Sequence, residues 1–448
     1  MNKVIKNYHP SQEISALNTH SELGKHILVD GFPFVLDMHK SQGANIYDEM
    51  TGKRFLDFFT CFSSIPVGIN HPKMHTDEFI RYIGELSLNK PSNSDIYTTE
   101  YATFVKTLFK YAIPEGFKYS FFIEGGGLAI ENALKTAMDW KVRKNWLKGF
   151  TTEKGTKILH FKQAFHGRTG YTMSLTNTDI VKTALFPKFD WPRVTNPKVT
   201  FPLTEENIAK VIELEKQSLA EIKTAFINHK DDIAAIILEP IQGEGGDNHF
   251  RNEFLQELRK IADENEALLI FDEVQTGVGP TGTFWAFEQM EVKPDIFAFG
   301  KKMQVCGIIV SDRIDDIEDN VFKKSSRINS TWGGGLADMI RATKYIEIIY
   351  EENMLANAKT VGTHLQNKLQ EVSETFDGII SNPRGRGLFR AFDIQKDKRK
   401  AFLDNCYKNG LIILGSGEQS VRFRPALNLT IDQVNEGVEI ITKSLKEI

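Results

Sequence analysis

Apolar residues along this chain fall into two alternating patterns. Short uninterrupted runs at 157–161, 233–238, 267–271, 295–299 and 307–310 read as strands buried on both faces. Between them lie stretches with helical spacing: 97–111, then Ile130, Ala133, Leu134, Ala137 and Met138, a polar helix over 205–229, and a helix with Phe250, Phe254, Leu258 and Ile261 on one face. Buried strands alternating with helices predict an α/β fold in which helices cover both sides of a mostly parallel sheet. Ligand sites in such sheets lie beyond the carboxyl ends of the strands.

The two ends of the chain have a different character. Near the start, residues 46–48, the turn Thr51-Gly52 and residues 55–59 read as a hairpin. Residues 336–372 read as helices joined near Asn353. After them, strands at 378–381, 388–394, 411–414 and 421–423 alternate with helices at 398–408 and 431–446. The expected division is an N-terminal segment over 1–65, a large domain over 66–340 and a smaller α/β domain over 341–448.

Composition narrows the function. The 448 residues carry 55 Lys plus Arg against 59 Asp plus Glu, a net charge of −4, without the clustered cations that a nucleic-acid binder needs. Lys141, Arg143, Lys144 and Lys148 share one predicted helix and read as a solvated face. No apolar run approaches the ~18 residues of a membrane span, and residues 1–10 lack the apolar core of a signal peptide. Cys61, Cys306 and Cys406 are far apart and form no CxxC pair, which points to a reducing cytoplasm. His71, His75 and His166 have no metal-site spacing.

Three local features carry chemistry. Gly125, Gly126 and Gly127 stand where a strand gives way to a helix, a place where backbone N–H groups and the helix dipole favour a phosphate; a plain tight turn has the same sequence. The run 268–271 ends in Asp272 and Glu273, and an acid at that strand end can meet a cationic ligand group, bind a metal or cap a helix. The next strand ends in Gly300, Lys301 and Lys302. A lysine there forms a Schiff base if burial and nearby positive charge lower its pKa, although a lone lysine is ordinarily a surface residue. Together the glycine turn, Asp272 and a lysine describe a pyridoxal 5′-phosphate site: phosphate cradle, partner of the ring nitrogen and carrier of the cofactor.

On these residues the sequence resembles the class III aminotransferases of fold type I. The segments 121–141, 164–178, 238–250, 271–307 and 329–334 are similar to the L-lysine 6-transaminase group within that class. The resemblance runs from about residue 20 to the end and implies a homodimer whose active sites are shared across the interface. It implies that Lys301 carries the cofactor, with Lys302 as its rival. Gly126 and Gly127 would form the phosphate turn, and Thr331 would reach a phosphate in the neighbouring subunit. Phe165 would stack on the cofactor ring, with Val274 on the opposite face and Gln275 near the ring hydroxyl. Many relatives have tyrosine at Phe165 and a serine-rich phosphate turn, so fewer hydroxyl contacts are expected here.

For the substrates, the resemblance implies that Arg168, helped by Asn329, grips the α-carboxylate of L-lysine, so that only the ε-amine reaches the cofactor. Arg422 would receive the α-carboxylate of 2-oxoglutarate, and Glu244 would mask it while lysine is bound. The expected products are 2-aminoadipate 6-semialdehyde and L-glutamate, formed by ping-pong kinetics. The alternatives are a 4-aminobutyrate or ornithine transaminase, an aminomutase on the same fold, and a non-catalytic nucleotide-binding protein.

Overall fold

The computed structural model describes residues 8–448, so most of the 1–10 segment lies outside the described residues. Its centre is a seven-stranded sheet. In spatial order the strands are Phe117–Ile123, Cys306–Ser311, Ile296–Phe299, Leu268–Asp272, Ile233–Leu238, Lys157–Phe161 and Arg193–Val194. Cys306–Ser311 runs antiparallel to both neighbours, and every other pairing is parallel. The expected mostly parallel sheet is therefore observed as a mixed sheet with one reversed strand.

Burial explains why the strand runs lack polar alternation. All six residues of Ile233–Leu238 and all four of Ile296–Phe299 are buried, because helices pack on both faces. Trp140 from the helix Gly126–Leu147 fills one side, and Trp285, Phe254 and Phe297 fill the other. Registry places Asp272 beside Ala298 at the carboxyl edge, so neighbouring strands deliver an acid and, just beyond Phe299, a lysine to the same rim.

The chain termini meet away from this sheet. The hairpin Asn45–Tyr47 and Arg54–Asp57 takes Leu411–Ile412 as a parallel third strand. A four-stranded antiparallel sheet follows the order Ile380–Arg386, Phe389–Ile394, Ser420–Phe423 and Leu414–Ser416. The single strand expected over 411–414 is thus divided at Ile413, its two halves serving different sheets. The helical stretch expected over 336–372 is two helices, Leu336–Glu351 and Met354–Thr375, with left-handed Asn353 between them. Phe250 precedes its helix, which begins at Asn252, yet it packs on Phe254 as expected of that face.

One reading is corrected. Lys141 does not belong to a solvated face: it is fully buried, and its amine donates to the carbonyls of Asn265 and Glu266 at 3.0 and 2.8 Å. It satisfies carbonyls at the end of the helix Asn252–Glu264 that lack helical partners, and burial pulls its amine down to about 8. Among the described residues no helix is long and apolar enough to cross a membrane.

Candidate active site

A cavity of about 210 Å³ opens at the carboxyl edge of the central sheet. Gly126, Gly127, Phe165, His166, Gly167, Glu239, Glu244, Asp272, Val274, Gln275 and Lys301 line it. Seven of the residues expected at the cofactor, namely Gly126, Gly127, Phe165, Asp272, Val274, Gln275 and Lys301, therefore converge on one space.

The glycine turn has a conformational reason. Gly125 has φ +103, a backbone state that side-chain-bearing residues rarely adopt, and it turns the strand Phe117–Ile123 into the 22-residue helix Gly126–Leu147. A Cβ at Gly126 would lie 3.0 Å from Val274 Cγ1, so glycine keeps the cavity floor open to the helix's first N–H groups. A helix start placed in this way can accept an anion.

Lys301 is held in an unusual conformation. It follows Gly300 in the short turn Lys301–Met303 with φ +47, a left-handed state that is costly for a non-glycine residue and is concentrated at functional positions. Burial, reinforced by the Arg422 guanidinium, pulls its amine down to about 8. Its amine donates no hydrogen bond to any described residue. Lys302 is different: it is buried, and its Nζ donates to the Gln275 carbonyl at 2.6 Å, outside the cavity lining. Of the two rivals only Lys301 presents a free amine to the cavity.

Asp272 is buried and fixed at both oxygens. Oδ1 accepts the Val274 N–H at 3.0 Å, and Oδ2 lies 2.8 Å from His166 Nδ1. Glu239 completes the acidic wall: its two oxygens accept the N–H groups of Phe165 and Gly243, both at 3.0 Å. Burial pushes the Glu239 carboxyl up to about 7, Asp272 adding to the effect while His166 opposes it. Gln275 offers its side-chain carbonyl to Arg424, whose Nε and Nη2 donate at 3.2 and 3.0 Å.

At the wall of this cavity Glu244 pairs with Arg422, whose Nη2 lies 3.0 Å from its carboxylate, and accepts from Lys182 Nζ at 2.6 Å. Burial acts against ionisation of Glu244, but the two cations hold its carboxyl below the usual range. Arg422 is itself buried, lining a small recess with Phe58, Phe59, Phe62, Leu414, Gln275 and Arg424. Arg168, Asn329 and Thr331 are exposed and do not line the cavity of their own chain.

Three residues of the cavity lining, His166, Gly167 and Glu239, are not among the expected site residues and enter the sequence reading of the site only within the segments 164–178 and 238–250. Glu239 directly follows the strand Ile233–Leu238, just as Asp272 ends its own; that shared placement was the available signal.

Residues 29–445 match the family model for aminotransferase class III. The chain is a class III aminotransferase. It is 45% identical over 428 residues to the L-lysine-epsilon aminotransferase of Mycobacterium tuberculosis, covering 95% of each chain. The mitochondrial 4-aminobutyrate aminotransferase of Homo sapiens is more distant, 30% identical over 416 residues that cover 88% of this chain and 81% of that one. The solved structure of lysine aminotransferase from M. tuberculosis in the internal aldimine form superposes with a TM-score of 0.95 at 44% identity, covering 97% of this chain and 100% of that one.

The cofactor of this aminotransferase is pyridoxal 5′-phosphate. The cavity fits it on three independent features: an open helix N-terminus for a phosphate, a fixed buried carboxylate for a cationic ring nitrogen, and an unpaired amine of lowered basicity.

Proposed function

We propose that this aminotransferase transfers the ε-amino group of L-lysine to 2-oxoglutarate, forming 2-aminoadipate 6-semialdehyde and L-glutamate. The observation that carries the reading is the Glu244–Arg422 pair at the cavity wall, a buried guanidinium suited to receive a carboxylate and covered by an acid. The relatives that share 45% identity and bear the lysine name supply the donor.

Bound pyridoxal phosphate supplies an electron-withdrawing ring that acidifies the amine-bearing carbon of the substrate. Lys301 would carry the cofactor, and its Nζ would move the proton at that carbon; an amine lowered to about 8 is matched to such a task. Asp272 holds a negative charge toward the ring nitrogen, oriented by His166 and the Val274 N–H. Phe165, Val274 and Gln275 would hold the ring, and Gly126 and Gly127 would hold the phosphate.

Arg168 and Asn329 grip the lysine α-carboxylate in the assembled enzyme, so the reacting end is the ε-amine. Arg422 receives the carboxylate of 2-oxoglutarate in the second half-reaction. The enzyme is a homodimer in which exposed Thr331 completes the phosphate site of the neighbouring subunit. We place it in the cytoplasm, in keeping with its three unpaired cysteines.

A donor panel tests the reading, with glutamate formation from 2-oxoglutarate as the readout. L-Lysine should be the best donor, with ornithine and 4-aminobutyrate well behind. Negligible turnover of lysine beside good turnover of 4-aminobutyrate would overturn it.

A further inference from the structure

The Glu244 carboxylate is shared between two cations, one at each oxygen. Arg422 Nη2 reaches Oε2 at 3.0 Å, and Lys182 Nζ reaches Oε1 at 2.6 Å. Arg422 is buried and the other two are partly buried: the side chains are exposed by 5% at Arg422, 26% at Glu244 and 19% at Lys182. Lys182 ends the short turn Ile180–Lys182, which is capped by Asp179 accepting the Val181 N–H at 3.0 Å. Its amine also stands over the Phe165 ring, 5.5 Å from the centroid, so it is held at the cavity wall by an aromatic face as well as by the acid.

The backbone carrying Glu244 is tied down along its length. Gly243 N donates to Glu239, and the Glu244 carbonyl accepts the Gly417 N–H at 2.9 Å. The carbonyls of Gly246 and Asp247 accept from Arg384 at 2.6 and 2.9 Å. Any displacement of the acid is therefore a rotation of its side chain. A carboxylate leaving Arg422 at this partly buried wall is favoured by keeping a cation beside it. Lys182 is already in contact with it.

We propose that Lys182 is the alternate partner of Glu244 during substrate exchange: when an oxo-acid carboxylate takes Arg422, Glu244 rotates fully onto Lys182, and it returns when the amino donor enters. This rests on the roles given above to Arg422 and Glu244. Arg422 Nη1 is buried without a hydrogen-bond partner among the described residues, which leaves half of the guanidinium fork for an entering carboxylate. Removing the Lys182 charge leaves Glu244 a single cation, so the acid stays on Arg422 and obstructs the oxo-acid.

The test measures the two half-reactions separately, by stopped-flow absorbance of the holoenzyme, in Lys182→Met and Lys182→Arg. Lys182→Met should weaken use of 2-oxoglutarate on the order of tenfold while the L-lysine half-reaction stays within about twofold, and Lys182→Arg should restore most of the loss. Equal slowing of both halves, no change in either, or tighter use of 2-oxoglutarate would each overturn the proposal. In a Glu244→Gln background, Lys182→Met should have little further effect, since the two act through one contact; an undiminished effect there also overturns it. Arg422→Lys separates the foundation from the inference: unchanged use of 2-oxoglutarate in that variant refutes the Arg422 assignment itself, whereas a large loss there with a silent Lys182→Met refutes only the role of Lys182.

Discussion

His166 Nδ1 lies 2.8 Å from Asp272 Oδ2, and both side chains are buried. With the Val274 N–H on its other oxygen, the Asp272 carboxylate is held at both oxygens where it lines the cavity. Replacing His166 by Phe keeps the volume and removes the tie. The expected outcome is a loss of about 10–100-fold in kcat, the scale seen when a partner that orients a site ligand is removed, with the visible absorption of the bound cofactor retained but shifted. An unchanged kcat would show that Val274 alone suffices to orient Asp272.

The two adjacent lysines should separate cleanly. Lys301→Ala is expected to abolish both activity and the visible absorption of the lysine-bound cofactor. Lys302→Ala should keep that absorption and lose stability instead, because it leaves a cavity and strips the Gln275 carbonyl of its 2.6 Å donor. A buried carbonyl without a partner costs about 1–3 kcal/mol, visible as a lower thermal midpoint. Absorption lost in Lys302→Ala and kept in Lys301→Ala would move the cofactor-carrying role by one residue.

Much of this site was legible because each of its parts sits at a boundary that sequence marks. Asp272 ends an apolar run, Lys301 follows the next one, and the glycines separate a strand from a helix. What was hidden depends on contacts between distant segments. Nothing near Lys141 in sequence announces that it reaches the carbonyls of Asn265 and Glu266, so a helix rich in lysine and arginine reads as solvated. The partnership of His166 with Asp272 spans 106 positions, and that of Lys182 with Glu244 spans 62. Likewise the division of 411–414 between two sheets follows from strand partners at Leu56 and Arg422, which no local pattern specifies.

The lowered basicity of Lys301 sets a pH dependence in the cofactor-free protein. Capture of added pyridoxal phosphate requires the neutral amine, so its rate should rise with pH through about 8 and then level off. Stability follows by linkage: the unfolded chain keeps this proton up to 10.5 while the folded chain releases it near 8, so between these values the unfolded state binds more protons. Stability therefore increases across that window, and the full penalty, on the order of 3 kcal/mol, applies below it. Lys301→Met should accordingly be more stable than the parent at pH 7, with the gap closing as pH approaches 10.5. Glu239 contributes a slope of opposite sign between 4.5 and about 7, where the unfolded carboxyl has already ionised and the folded one has not. Urea midpoints of parent and variant, measured in parallel without cofactor, check both signs.

Arg168 presents the sharpest contrast between sequence expectation and single-chain geometry. Its guanidinium is exposed and outside the cavity lining, so it carries no desolvation penalty that a buried partner would have to offset. An anchor of this kind contributes only when substrate arrives, through charge-assisted hydrogen bonds worth about 1.5–3 kcal/mol. Arg168→Ala should therefore raise the KM for L-lysine about 10–100-fold, leave the 2-oxoglutarate half-reaction nearly intact and leave the thermal midpoint unchanged. Arg168→Lys should recover only part of the loss, since an ammonium cannot present the paired donors of a guanidinium. Equal KM values for L-lysine in the parent and Arg168→Ala would remove Arg168 from the donor site and require another cation to hold the α-carboxylate.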